Sequence, residues 1–290
     1  MSWTRHWKQY GLAYLLLAPN LLIFGLFRHF PALYGFVMSF FSWSVIGKPK
    51  FLGTANYAKL LQDEIFWKAL GVTVKYTLLT VLPGMVVSLA LALLVNRTWR
   101  GIKLFRTIYY VPVITSTVIV AILWRWFYDS GANYFMNLLG LPEVMWLADP
   151  RFALPSLAIM SIWKNAGYNM VLFLAGLQSI PSELYESASI DGAGGGRQFW
   201  HVTLPLLKPI TMFILIMSMI SSFQVFDQAY LMTRGGPFFA TTTLVYYVYY
   251  NAFEIYQMGY ASAVAYVLFI VLLIASIIQR KAFGLGENTY

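Results

Sequence analysis

The chain has 290 residues, of which 59% are hydrophobic and 11% are charged, and it contains no cysteine. A soluble domain usually carries about 25% charged residues, so these proportions exclude an ordinary water-soluble protein. The lack of cysteine excludes disulfides and thiolate metal sites. The formal net charge of +9 fits contact with anionic lipid headgroups, and nucleic-acid binding is disfavoured because no basic cluster accompanies a soluble domain.

Six long apolar segments are predicted to cross a membrane as helices. In chain order they cover residues 10–27, 76–95, 107–124, 152–180, 209–226 and 255–279. Five of them are uninterrupted and match the length of about 17 to 25 residues that a bilayer requires, while the fourth is broken once, by Lys164. The sequence therefore predicts an all-α, polytopic membrane protein with a single transmembrane domain over residues 1–290.

The basic residues favour one orientation of these spans. With six spans both termini lie on the same side, and that side collects ten basic residues against six on the other. The ten are Arg5, Lys8, Arg97, Arg100, Lys103, Arg106, Arg197, Lys208, Arg280 and Lys281, and the six are Lys48, Lys50, Lys59, Lys68, Arg151 and Arg234. Because positive residues in short loops favour the cytoplasmic side, we expect both termini in the cytoplasm.

The fourth span carries an unusual set of polar and aromatic side chains. They are Ser161, Trp163, Lys164, Asn165, Tyr168 and Asn169. Lys164 has about ten residues of helix on its outer side, or about 15 Å, and so lies near mid-depth. A lysine at that depth should face a cavity or a partner such as Asp227. A salt bridge that only fixes helix packing is the alternative.

A polar loop at residues 181–205 interrupts the apolar sequence and lies on the predicted cytoplasmic side. Its first half, 181–190, has the pattern of a short amphipathic helix that Ser182 can cap, with Leu184, Ala188 and Tyr185 on one face. Glycines at 192 and 194–196 are predicted to end it, because glycine favours left-handed backbone conformations. Such a helical turn between two spans is suited to docking.

The fifth span has a polar face. At 100° per residue, Ser218, Ser221, Ser222, Gln224 and Gln228 fall within an arc of 160°, and Asp227 lies 60° beyond its edge. These side chains predict a hydrated path. Helix–helix packing by small polar residues is the alternative, since such packing is common in membranes.

The polar loop resembles the cytoplasmic signature of bacterial ABC importer permeases, E-A-A-x3-G-x9-I-x-L-P. The matching residues are Glu186-Ser187-Ala188, Gly192, Val202 and Leu204-Pro205, with Ser187 replacing Ala and Val202 replacing Ile. The resemblance extends over nearly the whole chain. From Gln178 to Pro205 it is similar to the maltose-type, carbohydrate-uptake branch, and the start of the chain resembles the first permease of a heterodimeric pair, with a homodimer as the alternative.

The resemblance implies a type I importer fold and a role in binding-protein-dependent, ATP-driven uptake across the bacterial inner membrane. The implied partners are a second permease, two ATPase subunits that bind ATP and Mg, an external substrate-binding protein and a carbohydrate. It implies coupling to the ATPase by Glu183, Glu186, Ser187, Ala188, Asp191, Gly192, Leu204 and Pro205. It also implies sugar contacts by Ser161, Lys164, Asn165, Tyr168, Ser218, Ser221, Ser222 and Asp227. A polyol, a sugar phosphate or glycerol phosphate is the alternative cargo.

Energy-converting and catalytic motifs are absent from the sequence. The glycines at 192–196 are followed by Arg197-Gln198, so they fail G-x4-G-K-[ST], and neither G-x-S-x-G nor H-E-x-x-H occurs. We therefore expect no enzyme activity, no metal site and no cofactor in this chain. A secondary transporter would need a coupling acid deep in a span, for which Asp227 is the one candidate, and an inverted repeat, which is not evident.

Overall fold

A computed structural model of the chain describes residues 3–44, 47–97 and 100–282, with side chains except those of residues 3–9, 12 and 282. The fold divides into two compact units, one made of Met1–Asp63 and Val248–Leu268 and the other of Glu64–Tyr247 and Phe269–Tyr290. Helices dominate both units, so the predicted all-α class is confirmed. A single permease domain over 1–290 includes ends outside the described residues and stays a prediction.

The first unit starts with a long apolar helix and a short sheet. Its elements are α1 (Trp3–Phe24), a π-helical turn (Gly25–His29), α2 (Phe30–Met38), β1 (Phe41–Ser42), β2 (Lys50–Phe51) and α3 (Ala55–Gln62). The strands pair antiparallel, with Phe41 opposite Phe51. The side chain of Asn56 donates hydrogen bonds to the carbonyl oxygens of Ser39 (2.8 Å) and Phe41 (3.0 Å), which holds α3 against the end of α2.

The second unit contains most of the helices. In order they are α4 (Glu64–Val95), α5 (Ile102–Ile114), α6 (Thr117–Trp126), a π-helical turn (Phe127–Gly131), α7 (Ala132–Leu138), α8 (Pro150–Gln178), α9 (Ser182–Ile190), α10 (Gly195–Gln198), a π-helical turn (Phe199–Thr203), α11 (Leu204–Leu206), α12 (Lys208–Phe223) and a π-helical turn (Ala229–Thr233). The chain then continues through α13 (Leu244–Tyr249), a π-helical turn (Tyr250–Glu254) and α14 (Met258–Ala282).

The core of the second unit forms where α4 and α8 pack together. One apolar cluster includes Tyr76, Leu157 and Met160, and another includes Val95 and Phe173. At the start of α8 the carboxylate of Asp149 accepts a hydrogen bond from the backbone N–H of Arg151 (2.8 Å), and it pairs with the Arg151 guanidinium at 2.8 Å. Asp149 is thus the N-cap of this long helix.

Three helical segments are long and apolar enough to cross a membrane, namely Ala13–Met38, Glu64–Val95 and Met258–Lys281. Two bent pairs, Ile102–Ile114 with Thr117–Leu138 and Gly195–Leu206 with Lys208–Phe223, raise this number to five if each counts as one span. α8 is 29 residues long but is not among them, and its polar side chains lower its hydropathy. The six-span count and the cytoplasmic termini therefore stay predictions.

The third predicted span, 107–124, is not one straight helix. α5 ends before Thr115, and both Thr115 (ψ 139°) and Ser116 (ψ 133°) have extended backbone conformations. The two parts of the segment meet at a bend of 97°. The segment is therefore two helices and not the single one expected from its apolar length. Pro112, just before the break, permits a kink, but a run of apolar residues does not reveal a break that neighbouring helices stabilise.

A close approach between α5 and α8 lies beside this bend. A Cβ atom added to Gly167 would come within 2.0 Å of the carbonyl oxygen of Tyr109. Only glycine lets the two helix backbones pack at this distance. In the first unit Gly259, at the start of α14, has the same role, because its Cβ would lie 2.0 Å from the carbonyl oxygen of Phe41.

Candidate functional site

A polar cavity of about 530 Å³ lies within the second unit, between α4, α8 and the end of α12. α8 supplies side chains at intervals of three and four residues, so one face of this helix borders the cavity. The polar lining residues are Tyr76, Thr80, Ser88, Thr117, Ser161, Lys164, Asn165, Tyr168, Asn169, Ser218, Ser221, Ser222, Gln224, Asp227 and Gln228. Neutral hydroxyl and amide groups therefore make up most of the polar surface.

All ten residues predicted for the substrate path border this cavity. They are Ser161, Lys164, Asn165, Tyr168, Ser218, Ser221, Ser222, Gln224, Asp227 and Gln228. The sequence prediction missed three polar residues of α4, Tyr76, Thr80 and Ser88, which line the opposite wall. Their spacing of four and eight residues, which places them on one helix face, was the signal that could have identified them.

Hydrogen bonds connect the three walls of the cavity. The hydroxyls of Tyr76 and Ser161 lie 2.6 Å apart, and Gln228 Nε2 donates to Ser161 Oγ at 3.2 Å. A second link joins Ser222 Oγ to Thr77 Oγ1 at 3.0 Å. These side chains are buried, so the hydrogen bonds fix their rotamers. Lining side chains that are more exposed, such as Asn165 and Tyr168, can contact a solute.

The polar arc predicted on span five needs a correction. α12 ends at Phe223, and Gln224, Val225 and Phe226 are not helical. Helical backbone resumes at Asp227. Positions counted at 100° per residue are therefore wrong beyond Phe223. The break still brings Gln224, Asp227 and Gln228 to the cavity. Thr243 Oγ1 supports the break by donating to the carbonyl oxygen of Val225 at 2.8 Å.

Lys164 does not pair with Asp227 in the described part of the chain. Its side chain is only 8% exposed, and Nζ donates to the carbonyl oxygens of Thr115 (2.8 Å) and Pro112 (3.2 Å). These carbonyls belong to the last turn of α5 and the bend that follows, where helix-type hydrogen bonds are missing. The ammonium group therefore caps the end of α5, as a cation at a helix C-terminus is expected to do.

Aromatic rings add flat surfaces to the cavity. Phe226 stacks on Tyr230 with ring centroids 5.3 Å apart and an angle of 13° between the planes. Phe226 and Tyr168 both border the cavity. A sugar ring can form hydrogen bonds with neutral polar groups and can stack on aromatic rings, and this cavity offers both.

The polar loop forms the helix predicted over 181–190, as α9 (Ser182–Ile190). It ends in a Schellman motif, in which Ala193 N donates to Ala188 O (2.8 Å) and Gly192 N donates to Ser189 O (3.0 Å). Gly192 has the left-handed φ of 77° that this motif requires. Among the four glycines only Gly192 ends the helix, because Gly194 precedes α10 and Gly195 and Gly196 belong to it.

Two local predictions for this loop were wrong. Pro181, not Ser182, occupies the N-cap position, and it makes no side-chain capping bond. Leu184 is 43% exposed and does not share the packed face, which Tyr185 and Ala188 form. The hydroxyl of Tyr185 lies 3.0 Å from Thr203 Oγ1, so α9 is tied to the chain that leads into α12.

Most of the predicted coupling residues belong to this helix or to the turn that ends it. Glu183, Glu186, Ser187, Asp191 and Gly192 are exposed, whereas Ala188 and Leu204 are partly buried and Pro205 is exposed at the start of the next helical segment. Gln198 Nε2 holds the turn by donating to Ser189 Oγ (2.8 Å) and to the carbonyl oxygen of Ala193 (3.2 Å). The arrangement is a small, internally bonded protrusion with an acidic outer face.

Sequence comparison identifies the family. Residues 84–281 match the model of the family described as "Binding-protein-dependent transport system inner membrane component". The chain is 38% identical over 275 residues to the sulfoquinovosyl glycerol transport system permease protein SmoG of Agrobacterium fabrum, covering 92% of this chain and 89% of SmoG. It is 34% identical to the sn-glycerol-3-phosphate transport system permease protein UgpA of the same organism, covering 93% and 94%.

Two solved structures resemble the whole chain. A bacterial ABC transporter involved in the import of the acidic polysaccharide alginate matches with a TM-score of 0.87 and 27% identity, covering 98% of this chain and 99% of that one. A bacterial alginate ABC transporter in complex with an alginate pentasaccharide-bound periplasmic protein matches with a TM-score of 0.84 and 26% identity, covering 96% and 95%. With the family match, these similarities confirm that the chain belongs to the binding-protein-dependent transport system inner membrane components, the permeases of ABC importers.

Proposed function

We propose that this chain is a permease subunit that carries a neutral carbohydrate through the polar cavity during ATP-driven import. The observation that carries the proposal is the lining of the cavity by hydroxyls, amides and the rings of Tyr168 and Phe226. In such importers the permease changes between outward-open and inward-open states, and the cavity would hold the sugar between them. The relatives SmoG and UgpA are named for transport of sulfoquinovosyl glycerol and sn-glycerol 3-phosphate, which supports a hydroxyl-rich cargo. Both of those cargoes carry an acidic group, so the choice of a neutral carbohydrate rests on the lining of the cavity.

Charge favours a neutral cargo over a phosphate. The ionisable groups lining the described cavity, apart from tyrosine, are Lys164 and Asp227. The ammonium group of Lys164 already binds two carbonyl oxygens, whereas Asp227 forms no ion pair within the described residues. An anionic solute would therefore meet a carboxylate without a free cation from this chain to offset it. Glycerol phosphate stays the second candidate because the relative UgpA is named for it.

We further propose that α9 docks on a separate ATPase subunit. The chain carries no nucleotide-binding motif, so the energy of ATP must reach the cavity through a protein contact. α9 is exposed on one side and hydrogen-bonded on the other to Thr203, near the start of α12. Movement of this helix can therefore reach the cavity wall along α12, whose far end carries Ser221 and Ser222.

We also propose an assembly and a location for the chain. We place the chain in a bacterial cytoplasmic membrane with both termini and α9 in the cytoplasm, next to a second permease, two ATPase subunits and an external binding protein. The basic residues of the cytoplasmic loops support this orientation. A heterodimer of permeases is favoured by the resemblance of the N-terminal region to one partner of such a pair.

Transport measurements test the cargo and the cavity together. In cells that lack the chromosomal copy, the wild-type chain should restore uptake of a neutral oligosaccharide, and excess glycerol 3-phosphate should not compete. Asn165→Ala should reduce uptake at least tenfold with normal membrane insertion. Asn137→Ala is a matched control, because Asn137 is exposed and bonded to Glu143 outside the cavity. Competition by glycerol phosphate, or equal uptake by both variants, would contradict the proposal.

A further inference from the structure

A second cavity, of about 420 Å³, lies in the second unit between α6 and the π-helical turn at Ala229–Thr233. Its charged side chains are Arg125, Asp129 and Arg234, and its walls include Ile122, Trp126 and Tyr230. We call it the arginine pocket. It shares no lining residue with the polar cavity, and the transport mechanism proposed above does not use it.

Hydrogen bonds hold the side chain of Arg125 and the backbone of Arg234. Arg125 Nη1 donates to the carbonyl oxygen of Leu231 at 3.3 Å. Arg234 ends the π-helical turn in a left-handed conformation (φ 49°), and Tyr246 donates to its carbonyl oxygen at 2.9 Å. Within the described residues neither arginine forms an ion pair, and neither does Asp129. The pocket therefore presents two guanidinium groups and one carboxylate with unused hydrogen-bonding capacity.

The pocket opens where an apolar surface meets polar chain. Trp126 is 71% exposed and Ile122 is 54% exposed, and both belong to the bent helix pair that is apolar enough for a membrane. Polar residues begin just beyond, at Asp129 and Ser130. Arginine at a membrane boundary reaches towards lipid headgroups, and tryptophan is enriched at the same level. A cation in this position can pair with the anionic groups of lipid headgroups.

We propose that the arginine pocket binds the headgroup of a glycerophospholipid. The phosphodiester lies between the guanidinium groups of Arg125 and Arg234, which suit phosphate because each presents a planar set of N–H donors. The acyl chains run along Ile122 and Trp126. Asp129 faces the substituent of the phosphate and prefers an ammonium group, so phosphatidylethanolamine binds in preference to phosphatidylglycerol.

An acidic side chain of the external binding protein is the competing ligand for two arginines. The apolar exposed walls argue against it, since such a contact would leave Ile122 and Trp126 facing water. Asp129 repels a carboxylate and a phosphodiester alike, but it attracts the ammonium group that phosphatidylethanolamine carries next to its phosphate and that an acidic side chain lacks. Free inorganic phosphate shares the chemistry of the phosphodiester but would gain nothing from the apolar walls.

Native mass spectrometry of the purified full-length chain tests the proposal. The probes are phosphatidylethanolamine, phosphatidylglycerol and inorganic phosphate, each added to delipidated protein. We expect one phosphatidylethanolamine to bind most tightly and inorganic phosphate not to displace it. Arg125→Gln and Arg234→Gln should each weaken binding about tenfold, since each removes charge-assisted hydrogen bonds. Asp129→Asn should remove the preference for phosphatidylethanolamine over phosphatidylglycerol.

Arg151→Gln is the matched control, because Arg151 is an exposed arginine that pairs with Asp149 outside the pocket; lipid binding should be unchanged. A rise in the melting temperature of the wild-type chain with phosphatidylethanolamine gives a second measurement that needs no variant. Equal lipid binding by the wild type and the Arg125→Gln/Arg234→Gln double variant overturns the proposal. Displacement by inorganic phosphate, or a double variant that loses only binding-protein affinity, overturns it too.

Discussion

The ammonium group of Lys164 donates a hydrogen bond of 2.8 Å to the carbonyl oxygen of Thr115, at the bend between α5 and α6. A second bond reaches the carbonyl oxygen of Pro112. A lysine inside an apolar helix usually indicates a site for substrate or a counter-ion. Here its partners are backbone groups that the bend leaves without helical hydrogen bonds, so its main role is to stabilise the bend beside the cavity.

Replacing Lys164 with methionine should therefore destabilise the fold more than it changes affinity for the cargo. The carbonyl oxygens of Pro112, which is buried, and of Thr115, which is partly buried, would lose their donor, at a cost of about 1–3 kcal/mol. Thermal unfolding of the purified chain measures this effect. Lys103→Met is the control, because Lys103 is exposed on α5 away from the bend. Unchanged stability with lost substrate binding would assign Lys164 to the substrate instead.

Gly167→Ala should separate α5 from α8. The added Cβ would lie within 2.0 Å of the carbonyl oxygen of Tyr109 and 2.8 Å of its carbonyl carbon, and backbone cannot move aside without shifting a helix. We expect a loss of several kcal/mol, or failure to accumulate in the membrane, because overpacking of this kind forces backbone shifts that cost about 1–3 kcal/mol or more. Expression level and melting temperature are the measurements.

Gly71→Ala is the matched control for that substitution. Gly71 lies within α4, and a Cβ there meets nothing within 4 Å. Alanine should therefore be tolerated or should stabilise the helix by about 0.5–1 kcal/mol. If both alanine variants behave alike, the close contact between α5 and α8 is not what constrains Gly167.

Much of the fold could be predicted from hydrophobic length, because a membrane requires helices that satisfy their own backbone. α4 and α14 match predicted spans for this reason. α8 matches the fourth predicted span in its bounds, although its polar side chains keep it out of the segments apolar enough to cross a membrane. Pro112 lies three residues before the bend at Thr115 and permits a kink there, but the size of the bend could not be predicted from it. The end of α12 at Phe223 has no glycine or proline beside it. The groups that support the two breaks, Lys164 and Thr243, are distant in sequence.

The residues of the candidate site could also be predicted only in part. Polar residues of two spans could be assigned to one cavity because lipid excludes them from the outer surface. The wall formed by Tyr76 on α4 was missed, although tyrosine and threonine recur there at helical spacing. The partner of Lys164 could not be foreseen, since a backbone carbonyl exposed by a bend leaves no trace in the identity of a residue.

The stability of the fold should depend on pH through the capping carboxylate of Asp149. Hydrogen bonds from the Arg151 side chain and backbone hold the pKa of Asp149 below its ordinary value of 3.8. A lowered folded-state pKa means that the contribution to stability is present above 3.8 and is lost as the pH falls through the lower value. Asp149→Asn should therefore lower the melting temperature by a constant amount from about pH 5 to 8, and this difference should shrink in stronger acid. A difference that grows on acidification contradicts the pairing.

The natural lack of cysteine allows a direct test of orientation. Ser187→Cys places a thiol on the exposed face of α9, and Glu143→Cys places one in the exposed segment before α8. A membrane-impermeant maleimide should label Glu143→Cys in intact spheroplasts and should label Ser187→Cys only after permeabilisation. The reverse pattern would invert the proposed topology and remove α9 from the ATPase side.

The turn after α9 offers the sharpest test of coupling. Gly192 has a left-handed φ of 77° with no atom within 4 Å of an added Cβ, so a larger residue is opposed by its backbone conformation and not by a clash. Gly192→Val should therefore reshape the end of α9 while leaving the polar cavity intact.

In the reconstituted transporter, uptake by Gly192→Val should fall at least tenfold, ATP hydrolysis should no longer respond to the loaded binding protein, and substrate binding should be unchanged. Gly196→Val adds the same side chain four residues further along, at a helical position that is also open, and should transport normally. Normal uptake with normal stimulation of ATP hydrolysis in Gly192→Val would remove the docking role from α9.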